Sequence, residues 1–177
     1  MISIASAAPR HHVPGVTGTG IALADSFRQA MRRVASTVNV IAICADGEPM
    51  GITATAMSSL AIEPPSLLVC INRAAAMHRS MEEVPQFSVN VLHRDQAHLA
   101  RMFADRSQHK LRFADGWQLD RGRPPLLLDA QAALLCRRTD HHRFGTHSIF
   151  IGVVEDVIVR AETDPLLYLD GGYRGAN

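Results

Sequence analysis

The chain predicts an all-β domain, an antiparallel barrel with a few helices packed against its outside. Three observations lead there. Strand-like runs outnumber helical ones, turn chemistry joins several neighbouring runs, and the strands do not alternate regularly with long helices as a doubly wound parallel sheet requires. With 177 residues, the length suits one domain with a real core. There is no internal repeat and no composition shift that would mark a second domain.

In chain order, residues 1–20 are His-, Gly- and Thr-rich towards Gly20 and lack periodicity, so they are expected to form a flexible arm, with the folded domain over 21–177. Asp25 to Ala35 predicts a helix, with Phe27, Ala30, Met31 and Val34 on one face and Asp25 as N-cap. Val38 to Ala45 reads as a strand closed by Asp46-Gly47-Glu48-Pro49, and a hairpin into a strand over Ile52 to Ser59 follows from the Asp-Gly turn. A Pro64-Pro65 corner leads to a strand over Ser66 to Asn72.

Met77 to Val84 is a short helix ended by Pro85. Phe87 to Leu92 is a strand, and Asp95 to Phe103 a helix burying Leu99, Met102 and Phe103. Residues 104–125 are loop-rich, Ala132 to Arg137 is a strand, and Thr139 to Gly145 reads as a polar loop. Ser148 to Val159 is a long strand interrupted by Glu155-Asp156, and Leu166 to Leu169 is the last.

Composition excludes several classes. A net charge of +1 with scattered basic residues offers no field for nucleic acid or an anionic membrane. No apolar run approaches a membrane span, and Ile2 to Ala8 lacks the basic and apolar regions of a signal peptide. Cys44, Cys70 and Cys136 each sit inside an apolar run without ligand spacing, which suggests buried thiols in a reducing, cytoplasmic setting.

The nine histidines lack convergent Cys or carboxylate partners, so no metal site is expected. There is no P-loop, GxSxG or HExxH pattern, and Gly15 to Gly20 has the wrong glycine spacing for a dinucleotide fingerprint.

Gly51-Ile-Thr-Ala-Thr-Ala-Met-Ser-Ser-Leu60 followed by Pro64-Pro65 and Leu67-Leu-Val-Cys-Ile-Asn-Arg73 is the most informative stretch. A strand of small methyl and hydroxyl side chains leaves its amides open to a flat ligand. Phe87-Ser-Val-Asn90, Arg112-Phe113, Trp117 and Gly145-Thr-His147 follow in order. The ordered set, over roughly 25–173, resembles the flavin reductase family of the FMN-binding split barrel. It is similar in particular to the small reductase components of two-component flavin monooxygenases, such as that of 4-hydroxyphenylacetate monooxygenase.

The resemblance implies an NADH- or NADPH-dependent enzyme that reduces FMN or FAD, works as a homodimer, and hands reduced flavin to a partner monooxygenase. The cofactors would carry the chemistry, so the absence of an acid–base constellation is no obstacle. It implies that Gly51, Ile52, Thr53, Ala54 and Thr55 run along the isoalloxazine edge, with Ser58 near the same pocket. Asn72, Arg73, Arg79 and Ser80 frame a turn feeding a helix, a natural phosphate site.

Asn90, mid-strand, needs partners from flavin or neighbouring backbone. Arg112 is expected to reach phosphate or a subunit contact. Gly145 and His147 would meet the nicotinamide, although the family often has Asp where this chain has Thr146, which removes a charge. Tyr173 would fold over the flavin edge. Two alternatives stay open: a flavin-bound reductase of a ferric chelate or cobalt corrinoid, and a flavin-binding module without turnover.

Overall fold

The structure, a computed structural model, describes residues 20–176; the expected N-terminal arm and the Gly15–Gly20 glycines before Gly20 lie outside them. Contacts divide the chain into two units with the boundary between Val34 and Ala35. The described part of the first holds helix α1, Gly20–Met31. Asp25 lies inside this helix, ion-paired with Arg28, and is not its N-cap; the helix starts earlier and stops sooner than the apolar spacing suggests.

The second unit is built mostly of strands. In chain order these are β1 (Ser36–Thr37), β2 (Asn39–Ala45), β3 (Glu48–Ala54), β4 (Met57–Ile62) and β5 (Pro65–Asn72). Helix α2 (His78–Glu83), β6 (Gln86–Val91), helix α3 (Ala97–Ala104), β7 (Trp117–Gln118) and β8 (Leu126–Leu127) come next. The chain ends with β9 (Ala132–Phe144), β10 (His147–Val159), β11 (Leu167–Leu169) and β12 (Gly172–Arg174). Seven strands form one antiparallel sheet in the order β3-β2-β6-β9-β10-β5-β4. A three-stranded sheet, β1-β11-β12, and the β7-β8 pair lie beside it.

Turn chemistry sets three of the hairpins. Asp46 and Gly47 both have positive φ (53° and 84°), as a two-residue primed turn needs, and Asp170-Gly171 repeats the device between β11 and β12. Gly145, at φ 55°, opens the turn that pairs Phe144 with His147.

Two expectations are corrected. The run Ile52 to Ser59 is two strands, because β3 pairs with β2 whereas β4 pairs with β5. Thr55 and Ala56 carry the chain from one edge of the sheet to the other. The six gaps of a flat seven-stranded sheet would hold its edges about 29 Å apart at ~4.8 Å per gap. Ala54 and Met57, three peptide units apart, lie within about 11 Å. The sheet therefore curls until its two edges meet at Thr55-Ala56, and the ladder of hydrogen bonds does not close across them.

The second correction is Thr139 to Gly145, whose first six residues extend β9 as a ribbon with β10. Its polar composition reflects exposure of both ribbon faces, not a loop.

Period-2 alternation builds two cores. Ile41, Ile43, Leu67, Val69, Ile71, Phe87, Val89 and Phe150 pack together with Met77 and Met81. The opposite face sends Val38, Val40, Ala133 and Leu135 against Ala100 and Phe103 of α3. Both faces of β2 are thus buried, which explains its unbroken apolar run. Gly152 admits the first core to β10: a Cβ there would stand 2.6 Å from Phe87 Cζ and 2.9 Å from Cys136 Cβ. Phe87 is fully buried and its ring has nowhere to go. Gly152→Ala is expected to lower stability by about 1–3 kcal/mol, the usual overpacking cost, read from urea unfolding midpoints.

Candidate active site

A cavity of about 580 Å³ opens between the first half of β3, the corner after β5, and the segment running from the end of α3 to Phe113. That volume lies within the range of small-molecule sites, roughly 300–1,000 Å³. Small residues make the space: Ala74, Ala75 and Ala76 form one wall, and Gly51 another. A Cβ on Gly51 would stand 2.7 Å from Phe103 Cε1 and 3.1 Å from Phe113 Cζ. Met50, Ile52, Met77, Phe103 and Phe113 supply apolar surface, and Arg106, His109 and Arg112 supply positive or ionisable edges.

Arg112 is the knot of this wall. Its guanidinium donates to Gly51 O (2.8 Å), Asp105 O (2.7 Å) and Met102 O (3.3 Å), and lies over the Phe103 ring. It thereby satisfies carbonyls at the end of α3 and ties β3 to the 3-10 turn Arg106–Leu111. Burial lowers its pKa from the ordinary arginine value, partly offset by the charge of Asp105, and a guanidinium stays protonated throughout. Arg106 donates to Ala74 O (3.1 Å), fastening the alanine corner to the same segment.

Of the residues singled out in the sequence, Gly51, Ile52, Asn72 and Arg112 line this cavity. Arg73, Gly145 and His147 gather at its side. Arg73 takes Thr146 O with its backbone N–H (2.9 Å) and Gly145 O with its guanidinium (3.3 Å). His147 pairs with Asn72 across the strands, is exposed, and has Nδ1 2.9 Å from Thr146 Oγ1. Asn72 Oδ1 accepts the Ala74 N–H (2.9 Å), which shapes the corner.

The other residues take different positions. The Thr53 hydroxyl donates to Ala100 O (2.6 Å), fixing α3 on β3. Ala54 O accepts the Asn39 side-chain amide (3.2 Å), Thr55 is exposed at the crossing, and the exposed Ser58 hydroxyl donates to Ser59 O (3.1 Å). Arg79 faces solvent beside Glu83, and Ser80 is half-buried on α2.

Asn90 is wholly buried. Its amide N–H groups go to Val40 O (3.1 Å) and Ser88 Oγ (3.0 Å), and its oxygen accepts the Leu127 N–H (2.8 Å). Its partners are therefore protein groups. Tyr173 packs on Tyr168, with Arg101 over its ring.

Sequence reading passed over Arg106 and His109, although basic residues recurring in Arg106-Ser-Gln-His-Lys-Leu-Arg112 were a visible signal. It also passed over Glu82. This carboxylate takes the Arg143 guanidinium in a fork (3.0 and 3.1 Å) and has Nε2 of His141 and His78 at 3.7 and 3.9 Å. Burial pushes its pKa up, but Arg143 with the two histidines outweighs that and holds it below the ordinary carboxylate value.

His78, buried against Phe150, shares a hydrogen bond with buried Ser148 (2.8 Å). Burial lowers its pKa below the ordinary 6.5, only partly opposed by Glu82. A lowered histidine pKa stabilises the fold above the unfolded value, and that contribution is lost as pH falls. The melting temperature is therefore expected to decline as pH drops through about 6.5, and His78→Gln is expected to flatten that slope between pH 8 and 5. An unchanged slope in the variant would remove His78 from the account.

A curled antiparallel sheet with a cation-edged, mostly apolar cavity at its rim defines a scaffold for a flat anionic cofactor. Comparison makes the class specific: the chain belongs to the family described as flavin reductase like domain, whose model matches residues 31–177. It is 41% identical over 156 residues to the reductase component of FADH(2)-dependent resorcinol hydroxylase from Rhizobium sp. (strain MTP-10005), covering 86% of this chain and 87% of that one. It is 37% identical over 152 residues to an FMN reductase (NADH), RutF 1, of Methylorubrum extorquens, covering 85% and 76%. Among solved structures, the NADH:FAD oxidoreductase SgcE6 of Streptomyces globisporus C-1027, in complex with NAD and FAD fragments, superposes with a TM-score of 0.78. It is 31% identical, covering 85% of this chain and 91% of that one.

Proposed function

We propose that the chain is an NADH-dependent flavin reductase that binds oxidised FMN or FAD, reduces it, and releases reduced flavin to a separate monooxygenase. The cavity that joins Gly51 and Arg112 to the Asn72–His147 strand pair is the observation that carries this reading, in a chain of this family. The nicotinamide supplies a hydride and solvent a proton, so that flavin gains two electrons while NADH becomes NAD⁺. The protein's part is to hold two ring systems face to face and keep water away.

Apolar walls suit the isoalloxazine, Arg112 and Arg106 suit phosphate, and Gly145 and His147 suit the nicotinamide side. We assign Thr53, Ala54, Thr55 and Ser58 to the approach along the β3–β4 crossing, and Arg73, Arg79 and Ser80 to the turn beside it.

NADH is favoured over NADPH because the three arginines of β9 are already engaged. Arg137 meets Glu155, Arg138 donates to Val84 O, and Arg143 holds Glu82. The curled, unclosed sheet supports the split-barrel description. Edge strand β4 leaves Leu60 (51%) and Ile62 (82%) exposed beside an unpaired ladder, which supports a homodimer joined there. Among the described residues no helix is long and apolar enough to cross a membrane. Three free cysteines support a cytoplasmic setting.

The test is loss of NADH absorbance by purified protein with FMN, FAD or no added flavin. Turnover only with added flavin supports the reading and ranks the flavins. Flavin binding without NADH oxidation would overturn it.

A further inference from the structure

Phe144 has no role in the reading above, yet its position is specific. It is 82% exposed. Exposure of one apolar side chain means little by itself; its place in the strand register means more. Phe144 pairs with His147 across β9 and β10, and His147 pairs with Asn72 across β10 and β5. Directly paired residues of antiparallel strands project from the same face, with Cβ atoms about 5 Å apart. Phe144, His147 and Asn72 therefore form a row over three neighbouring strands, roughly 10 Å long at ~4.8 Å per strand, and the row ends on the cavity wall at Asn72.

The backbone on each side of Phe144 is pinned. Arg143 before it is forked onto Glu82 of α2. Gly145 and Thr146 after it are held by Arg73. An aromatic ring on a braced ribbon loses little further entropy on binding and offers a face to a planar partner. Its neighbours in the row are an imidazole and an amide, and the exposed Arg73 guanidinium has N–H groups left for an anionic linker. Ring face, polar edge and guanidinium together match a nucleotide base with its phosphate, arriving beside a cavity filled by another ring system.

We propose that Phe144 is a stacking platform for a base of the nicotinamide nucleotide, held ready by the Glu82–Arg143 and Arg73–Gly145 ties. This rests on the reductase reading, which supplies the nucleotide. The test compares wild type, Phe144→Ala and Phe144→Trp by NADH titration calorimetry, flavin fluorescence titration, steady-state kinetics and sedimentation velocity. Phe144→Ala is expected to weaken NADH binding and raise its KM about tenfold, the scale of one lost aromatic–base stack. The loss should fall on KM rather than kcat, flavin affinity and sedimentation should hold, and Trp should restore binding.

NADH binding unchanged in Phe144→Ala overturns the proposal. So does a changed sedimentation coefficient with NADH and flavin affinity weakened together, which would make Phe144 a contact between two copies. Calorimetry needs no turnover: wild type that binds NADH through Phe144 but does not reduce flavin would sink the reductase reading and leave this one standing. Wild type that binds no NADH sinks both.

Discussion

Arg112→Ala is expected to weaken flavin binding at least about tenfold, the loss typical of a removed charge-assisted contact, and to raise the KM for FMN or FAD in step. Two effects add. The cavity loses the guanidinium on its wall, which the proposed function assigns to the flavin phosphate. It also loses the tie that gives the wall its shape, since the carbonyls of Gly51, Met102 and Asp105 all accept from this one side chain. Water can reach the half-exposed site, so the stability cost stays near 1–3 kcal/mol, a melting shift of roughly 2–12 °C for a domain of this size.

Arg112→Lys should not rescue binding, because one ammonium nitrogen cannot replace three guanidinium nitrogens that each donate to a different carbonyl. Fluorescence titration of flavin beside a thermal melt separates the two effects. Flavin affinity held within about twofold while the melting temperature falls would make Arg112 a strut of the wall and nothing more.

What the sequence disclosed and what it hid follow from the range of the forces involved. Asp46-Gly47 announced its hairpin because both residues tolerate positive φ and nothing distant is needed to decide it. The split of Ile52 to Ser59 was hidden, because Thr55 and Ala56 are locally good strand residues. Only the choice of partners, β2 for one half and β5 for the other, separates the halves. Thr139 to Phe144 looked like a loop because a ribbon exposed on both faces has no apolar period to show.

The site divides in the same way. Gly51, Ile52, Asn72 and Arg112 converge on one cavity from separate places in the chain, and only the ordered landmarks of the family tied them together beforehand. Arg106 and His109 escaped notice in a stretch without periodicity. Glu82 escaped because its partners, Arg143 and His141, are about sixty residues away. A helical carboxylate facing solvent and one that anchors a distant ribbon read alike in sequence.

Asn90→Ala should separate a structural amide from a ligand-binding one. The side chain is fully buried between Val89 and Val91 and makes three hydrogen bonds to protein groups. One of them, from Leu127 N–H, fastens the β8 segment to β6, and Ser88 beside it donates onward to Pro125 O. Alanine leaves the Val40 carbonyl and the Leu127 N–H short of their partner with no solvent nearby, each at about 1–3 kcal/mol, and adds a small cavity.

The expected total is roughly 3–5 kcal/mol, a large share of the 5–15 kcal/mol that holds a typical domain together. The melting temperature should fall by about 6–20 °C. Asn90→Asp should be no better, since a carboxylate can still accept from Leu127 but cannot donate to Val40 O and brings a buried charge. If Asn90 acts only as this internal strut, the protein that remains folded at low temperature will bind FMN or FAD with wild-type affinity. Lost flavin affinity with an unchanged melting temperature would instead place Asn90 at the cofactor and require the buried β6 face to open.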